Sequence, residues 1–499
     1  MKRQRKTGLV CLATVVPAAA MLCTACAMNA QKQELPTIRM YTVGSSSDAA
    51  CERIGEALSA LTAEHLGFAV EITQTSTAGY DNTLSRALLQ GEDIDLFCYT
   101  DMENIFSLVS DGKAAALNDW LDEFPVLRDT VPDDYWACMT YNAQIVGVPG
   151  NNPNSYAIGF EVRADIMAAL GVSAADIHTM EDMGELLRLA KAEFPDITPL
   201  VPHFGQPLQA LDIDPLNNGL GVLLGNTGTE VVDLYSTDYF ADLCEQMHTW
   251  YQEGLMLADA PLTNIPNTRA LALYDGFSLS QRVSRRNIIS VNRSSGVPLE
   301  TIVLGPRIQN TATLNICWCI NAQSSTQDQR RALQLLEFLY TDHEAADLLL
   351  YGMEGIDYRR LDAQTVTTID PKPKEEWNTI HWGQPNSEIV SEWIWADGRK
   401  VAYTEPRGTK ISPAYGFTYT PSAELRPIVS NCLQIVGKYE NALLSGYLDP
   451  EETLPLFQAE LQEAGISTII ADKQAQLDAW LAQNGNSQAV MSESPAGKS

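Results

Sequence analysis

The residues able to do chemistry in this 499-residue chain form no catalytic pattern. Its six histidines include no H-E-x-x-H pair and no ligand cluster, so no zinc site can be read from spacing. There is no G-x-S-x-G turn to present a serine, and no glycine-rich loop ending in G-K-[ST] to cradle phosphates. Gly219, Gly221 and Gly225 miss the dinucleotide spacing by one residue and follow no clear strand. Among 63 acidic residues adjacent carboxylates arise by chance, so spacing alone picks out no general acid or base. What remains is contact chemistry. Tyr41, Tyr99, Thr100 and Asp101 fall where strands are expected to end, and aromatic and planar polar groups there suit the non-covalent holding of a polar solute. No catalytic residue, metal or cofactor is expected.

The elements that would carry these residues alternate. Thr37–Val43, Phe68–Thr75 and Ile94–Tyr99 read as strands. Between them Ile54, Leu58, Leu61 and His65 recur at helical spacing with Asp48 as cap, and Tyr80–Gln90 reads as a helix stopped by Gly91. That order predicts a parallel sheet covered by helices. A second α/β block starts with a strand at Ala157–Val162, and Thr179 opens a helix striped by Met183, Leu187, Ala190 and Phe194. Thr326 and Gln329 have the capping-box form ahead of Ala332, Leu335, Leu336 and Leu339. Residues 362–410 read as irregular and aromatic. Helices return at 422–445, 450–464 and 471–483.

Composition is that of a globular protein, 45% hydrophobic and 19% charged. Against 63 acidic residues stand 33 basic ones, for a net charge of −30. This excludes a general binder of nucleic acid, whose phosphates the surface would repel. The basic MKRQRK start, the uncharged stretch Thr7–Leu22 and the small residues after it have the layout of a secretory signal. Cys23-Thr24-Ala25-Cys26 resembles a bacterial lipoprotein signal, with Cys23 where leucine is usual. The expectation is a signal over residues 1–25, a lipid on Cys26 and a linker over 26–36. Residues 1–25 hold four basic residues and no acid, so the mature chain would stand at −34. Two acyl chains tether a protein stably. No later run reaches the ~18 apolar residues of a membrane span. Seven further cysteines are odd in number and scattered, which is a poor disulfide framework.

Residues 144–171 contain Gly147-Val148-Pro149, then Arg163, Asp165 and a closing Gly171. Lys191 and Phe194-Pro195-Asp196 follow, then FLYTDHEAADLLLYGMEGIDY over 338–358, then Ala464-Gly465-Ile466 with Lys473, Gln474, Leu477 and Trp480. This ordered set resembles the extracellular solute-binding proteins of ABC transporters, in the maltose-binding-like group and its sugar-binding lipoprotein branch. Val146 stands where that group has tyrosine. The resemblance spans residues 38–483. It implies an α/β fold of two lobes, with ligand in the cleft between them: 37–152 plus 313–360, and 153–312 plus 361–483, followed by a disordered tail over 484–499.

A sugar offers an apolar face to aromatic rings and hydroxyl pairs to planar polar groups. By analogy with such clefts the candidate ligand-binding residues are Tyr41, Tyr99, Asp101, Asn151, Asn154, Tyr274, Trp318, Glu354 and Trp382. Trp393 and Trp395, two apart, make either a strand face or a stacking platform. The function implied is a membrane-tethered monomeric receptor that captures a carbohydrate, an oligosaccharide in the first instance, and passes it to ABC permease subunits at the outer face of a bacterial cytoplasmic membrane. The competing readings are a surface glycoside hydrolase, a sugar-sensing accessory lipoprotein and a binding protein for a non-sugar solute.

Overall fold

The computed structural model describes residues 35–100, 105, 107–141, 143–152, 155–201, 211–262, 277–313 and 316–492, with backbone alone at 141, 262, 277–282, 382 and 484–492. The first sheet is built on Thr37–Val43, whose inward residues Ile38 and Met40 are fully buried. It pairs in parallel with Ala69–Thr75 on one side and Leu96–Tyr99 on the other. Two strands from far along the chain complete the order. Cys317–Ile320 runs antiparallel beside Leu96–Tyr99, with Trp318 opposite Cys98, and Val148–Pro149 pairs with it in turn. The sheet expected to be parallel is therefore mixed, because a returning segment runs antiparallel between Leu96–Tyr99 and the edge strand Val148–Pro149.

Helices cover the sheet where the apolar spacing required them, but two caps shift by one residue. Ser47 rather than Asp48 caps Asp48–His65, its hydroxyl accepting from the Ala50 amide at 3.2 Å. Ser325 rather than Thr326 caps Thr326–Thr341, accepting from the Asp328 amide at 3.2 Å. In both cases a serine with extended backbone precedes the residue expected as cap. Gly91 closes Tyr80–Gln90 in the left-handed conformation, φ 69°, that favours glycine.

The second lobe has a sheet ordered Leu299–Val303, Ala157–Arg163, Phe277–Val283 and Leu200–Val201. Phe160, Met183, Leu187, Trp250 and Ile302 pack between it and the helices Met180–Glu193 and Asp238–Gln252. Three C-terminal helices, Arg426–Leu444, Pro450–Ala464 and Ile466–Ser492, close a further core with residues 211–244, including Phe240, Cys432, Phe457 and Leu477. The last helix continues past residue 484, where a disordered tail was expected, since each residue added to a formed helix gains a backbone bond. The first lobe's core is separate. It is formed by Ile38, Leu96, Phe97, Trp318, Leu335 and Leu336 among others. Full burial of side chains of this size is worth about 1.5–3 kcal/mol each. The seven described cysteines are buried free thiols, and Cys317 and Cys319, on one strand face, hold their sulfurs 3.5 Å apart. No described helix is long and apolar enough to cross a membrane.

Three segments run between the lobes and are bonded to one another. Tyr156 and Ile308 form an antiparallel bridge between the first two. The Asn151 amide donates to the Pro385 carbonyl at 2.8 Å and the Ser387 amide to the Asn151 carbonyl at 3.1 Å, tying in the third. Further along, Thr409–Ile411 pairs in parallel with Arg307–Gln309.

Candidate functional site

A cavity of about 380 Å³ opens where these connecting segments meet. Its base is Ser155, Tyr156 and Arg307, from the first two connections. One wall is the helix Arg285–Ser295 of the second lobe. The opposite wall combines Leu350 and Tyr351, at the end of the helix His343–Tyr351, with the stretch from Ser387 to Trp393. Tyr403 and Glu405 complete the lining.

Sequence explains the cationic wall. Ile288, Val291 and Asn292 are buried on one side of the helix Arg285–Ser295, and Arg285, Ile289 and Arg293, four residues apart, line the cavity on the other. Ser284 caps the helix by accepting from the Asn287 amide at 3.1 Å. The Asn292 side chain anchors the helix to the sheet, accepting from the Leu299 amide at 2.9 Å and donating to the Ile288 carbonyl at 2.8 Å. The helix N-terminus adds positive potential at the Arg285 end.

Most charges in the cavity are paired. Arg286 donates to Glu388 at 2.8 Å, Arg307 to Glu405 at 3.0 Å, and Lys400 to Glu392 at 2.7 Å, with Arg285 also on Glu392. Burial pushes the Glu392 carboxyl up, but the bonds from Lys400 and Arg285 outweigh it and hold it below the usual range. Arg293 lies 5.3 Å from the Tyr351 ring centroid. Burial lowers its pKa, and likewise that of Arg286 against the pull of Glu388. Burial, followed by the nearby Arg293 and Arg286, lowers His381 to about 3, so its imidazole is neutral at pH 7. The Tyr351 hydroxyl donates to the Ser391 carbonyl at 2.6 Å, and burial raises its pKa. Trp393 donates from its ring nitrogen to Thr368 at 3.0 Å and meets Trp395 edge to face, centroids 5.0 Å apart. Trp393 is thus a strand residue and a wall of the cavity at once.

The residues proposed from sequence scatter around this cavity. Tyr41, Tyr99 and Trp318 belong to the first lobe's core, and the Tyr41 hydroxyl bonds Thr75 at 2.7 Å. Strand ends proved a poor guide because the turn after Val43 is covered by residues 378–379: Gly44 bridges to Thr379 and the Ser45 amide donates to the Asn378 carbonyl. Asn151 braces the third connection, its side chain donating to Asn386 at 3.1 Å, and is not among the residues that line the cavity. Glu354 is exposed and accepts from Arg360 at 3.3 Å. Trp382 follows His381 in a short 3-10 turn, with only its backbone described. Asp101, Asn154, Tyr274 and Cys26 lie outside the described residues. The sequence reading missed the arginines. Their signal was local: four of them, Arg285, Arg286, Arg293 and Arg307, occur within one short stretch of an otherwise acidic chain.

Comparison with known proteins agrees with this architecture. A curated carbohydrate ABC transporter substrate-binding protein of Streptococcus pneumoniae is 22% identical over 476 residues, covering 91% of this chain and 92% of that one. The crystal structure of the N-glycan transport solute-binding protein from Streptococcus pneumoniae superposes with a TM-score of 0.76 at 19% identity, covering 90% and 99% of the two chains. A human-milk-oligosaccharide-binding, ABC-transporter-associated protein from Bifidobacterium longum infantis gives 0.56 at 13% identity, covering 89% and 99%. A model described as a domain of unknown function matches residues 413–482, which hold the three C-terminal helices up to residue 482. The model of the bacterial extracellular solute-binding proteins matches residues 56–352, more than half the chain and most of both sheets, and to that family this two-lobed protein belongs.

Proposed function

We propose that this protein is the capture subunit of a carbohydrate ABC importer, holding an oligosaccharide between its lobes and passing it to permease subunits. The observation that carries the proposal is the cavity at the three inter-lobe connections, where Tyr156, Tyr351, Trp393 and Tyr403 meet arginines, serines and glutamates. Rings for the apolar faces of a sugar and forked donors for its hydroxyl pairs are what such a ligand requires. The names of the relatives point the same way. In this reading the first lobe comprises residues 37–152 plus 313–360 and the second 153–312 plus 361–483, except that Trp377 packs in the first lobe's core and residues 378–379 cover its turn, so the third crossing comes after residue 380. Closure follows from bending at the connections, and ligand favours the closed form by binding it more tightly. Asn151 serves this site indirectly, by holding Ser387, which lines the cavity, through its carbonyl.

The reading is non-enzymatic. A glycoside hydrolase needs a carboxylic acid free to donate a proton beside a second carboxylate. Glu388, Glu392 and Glu405 are each committed to an arginine, and Glu392 is held ionised. The protein works outside the cytoplasmic membrane, as its family does, held there by lipid on Cys26. Thermal-shift screening against mono- and oligosaccharides tests the proposal: a ligand at 100 times its dissociation constant stabilises the native state by about 2.7 kcal/mol. Absence of a shift with every sugar would transfer the assignment to a non-sugar solute. Release of product from a glycan that does bind would instead make the protein a hydrolase. Palmitate labelling of the expressed protein, lost in Cys26→Ala, tests the anchor.

A further inference from the structure

Among the described residues, three of the four arginines around the cavity are answered by a carboxylate, and one is not. Arg285 is paired with Glu392, Arg286 with Glu388 and Arg307 with Glu405. Arg293, the fourth, makes no ion pair or hydrogen bond with any described residue. Among the described residues its ring contact is with Tyr351, 5.3 Å from the guanidinium carbon to the centroid. Glu376, whose field it feels, is engaged with Lys372 at 2.8 Å. The chain has 63 acidic residues against 33 basic ones, so an arginine partly withdrawn from water and left without an acid is at odds with its composition. A ring contact satisfies none of the five N–H donors of a guanidinium.

The surroundings sharpen the point. His381 also lines the cavity, and with its imidazole neutral it adds no second charge there. The N-terminal end of the helix Arg285–Ser295 borders the same space. Counted over the lining, four arginines face three glutamates, which leaves a local excess of one positive charge inside a strongly negative molecule.

Resting on the carbohydrate reading above, we infer that the ligand is an acidic oligosaccharide, whose carboxylate or sulfate group is received by Arg293. Both groups offer paired oxygens that match the guanidinium fork, and a neutral sugar does not supply the missing charge. The acidic exterior slows the approach of such a ligand, and the cavity supplies the attraction locally.

The test is a glycan array carrying neutral, sialylated, uronate-containing and sulfated oligosaccharides, probed with the mature protein, then calorimetry on the best acidic glycan and its neutral parent. The expected result is a preference for the acidic member of about tenfold or more, equivalent to about 1.4 kcal/mol, that weakens as salt is raised. Whether sialylated and uronate or sulfated glycans lead identifies the anionic group. Arg293→Gln should abolish the preference and Arg293→Lys retain part of it, with circular dichroism confirming that both variants fold. Neutral glycans bound as well as their acidic counterparts, or a preference indifferent to Arg293→Gln, would overturn the inference and leave the carbohydrate reading standing. Binding of no glycan of any kind would overturn both together.

Discussion

Tyr156 and Ile308 exchange both of their backbone hydrogen bonds, at 3.0 and 2.6 Å, so two of the three strands that join the lobes form one short ladder under the cavity. The Tyr156 side chain is fixed from the same region, because Asn310, two residues beyond Ile308, donates to its hydroxyl at 3.2 Å. The first two connections are thus tied to each other through backbone and side chain alike.

Asn310 is fully buried, and its amide also donates to the Ile213 carbonyl at 3.0 Å and the Asn226 side chain at 2.7 Å. Asn310→Ala leaves those acceptors without a donor. The expected loss is about 1–3 kcal/mol, measured as a lower urea midpoint with unchanged slope.

Gly159 lies where the strand Ala157–Arg163 runs against the edge strand Leu299–Val303 of the second lobe's sheet. A Cβ there would stand 2.0 Å from the Ile302 carbonyl oxygen, a backbone atom that cannot swing aside. Gly159→Ala should therefore destabilise by about 3 kcal/mol or more and loosen the strand pair Ala157–Arg163 with Leu299–Val303. Hydrogen exchange at the Leu304 amide, which donates to the Ile158 carbonyl at 2.9 Å, reads the second effect.

Glu440 gives the second lobe a pH dependence. Burial raises its pKa to about 7, partly offset by the bond from the Tyr235 hydroxyl at 2.9 Å. The folded state thus holds this proton more tightly than the unfolded chain, where a glutamate titrates near 4.3. Its stabilising contribution is complete below about pH 4.3 and is lost as pH rises through 7, an effect on the order of 3 kcal/mol. In Glu440→Gln the dependence across that window should flatten and stability at pH 8 should rise. An unchanged slope of unfolding free energy against pH would refute the assignment.

Asp347 joins the first lobe to the third connecting segment. Its buried carboxylate accepts from the Ser391 amide at 2.7 Å, the Ser391 hydroxyl at 2.6 Å and Arg360 at 2.8 Å. Asp347→Ala strands those donors, and removing one member of a buried pair costs about 3 kcal/mol. Because Ser391 lines the cavity, ligand affinity should fall along with the melting temperature.

Much of the fold was legible because burial imposes a period. The alternation in Thr37–Val43 and the recurrence of Ile54 and Leu58 follow from packing on one side. Capping was legible to within a residue, since neighbouring Ser and Asp at 47–48, or Ser and Thr at 325–326, compete for one geometry. The site was much less legible. Tyr41 and Tyr99 have the residue type a sugar site uses, but whether a ring faces a cavity or a core depends on what folds over it, here residues 378–379. Net charge concealed the arginine wall, because an average over 499 residues carries no sign for a single helix face. Trp393 stayed ambiguous for a third reason: one residue can serve a ladder and a wall together.

The second lobe's helical core has a consequence for biogenesis. Lys473, fully buried, donates to the Asn218 side chain at 2.9 Å and the Gly221 carbonyl at 3.1 Å, about 250 residues back along the chain. A polypeptide made and exported amino end first has displayed residues 218–221 long before the lysine that satisfies them emerges. That half of the molecule therefore waits, unsealed, for almost the last stretch to arrive, while the strands Thr37–Val43, Ala69–Thr75 and Leu96–Tyr99 can already have assembled.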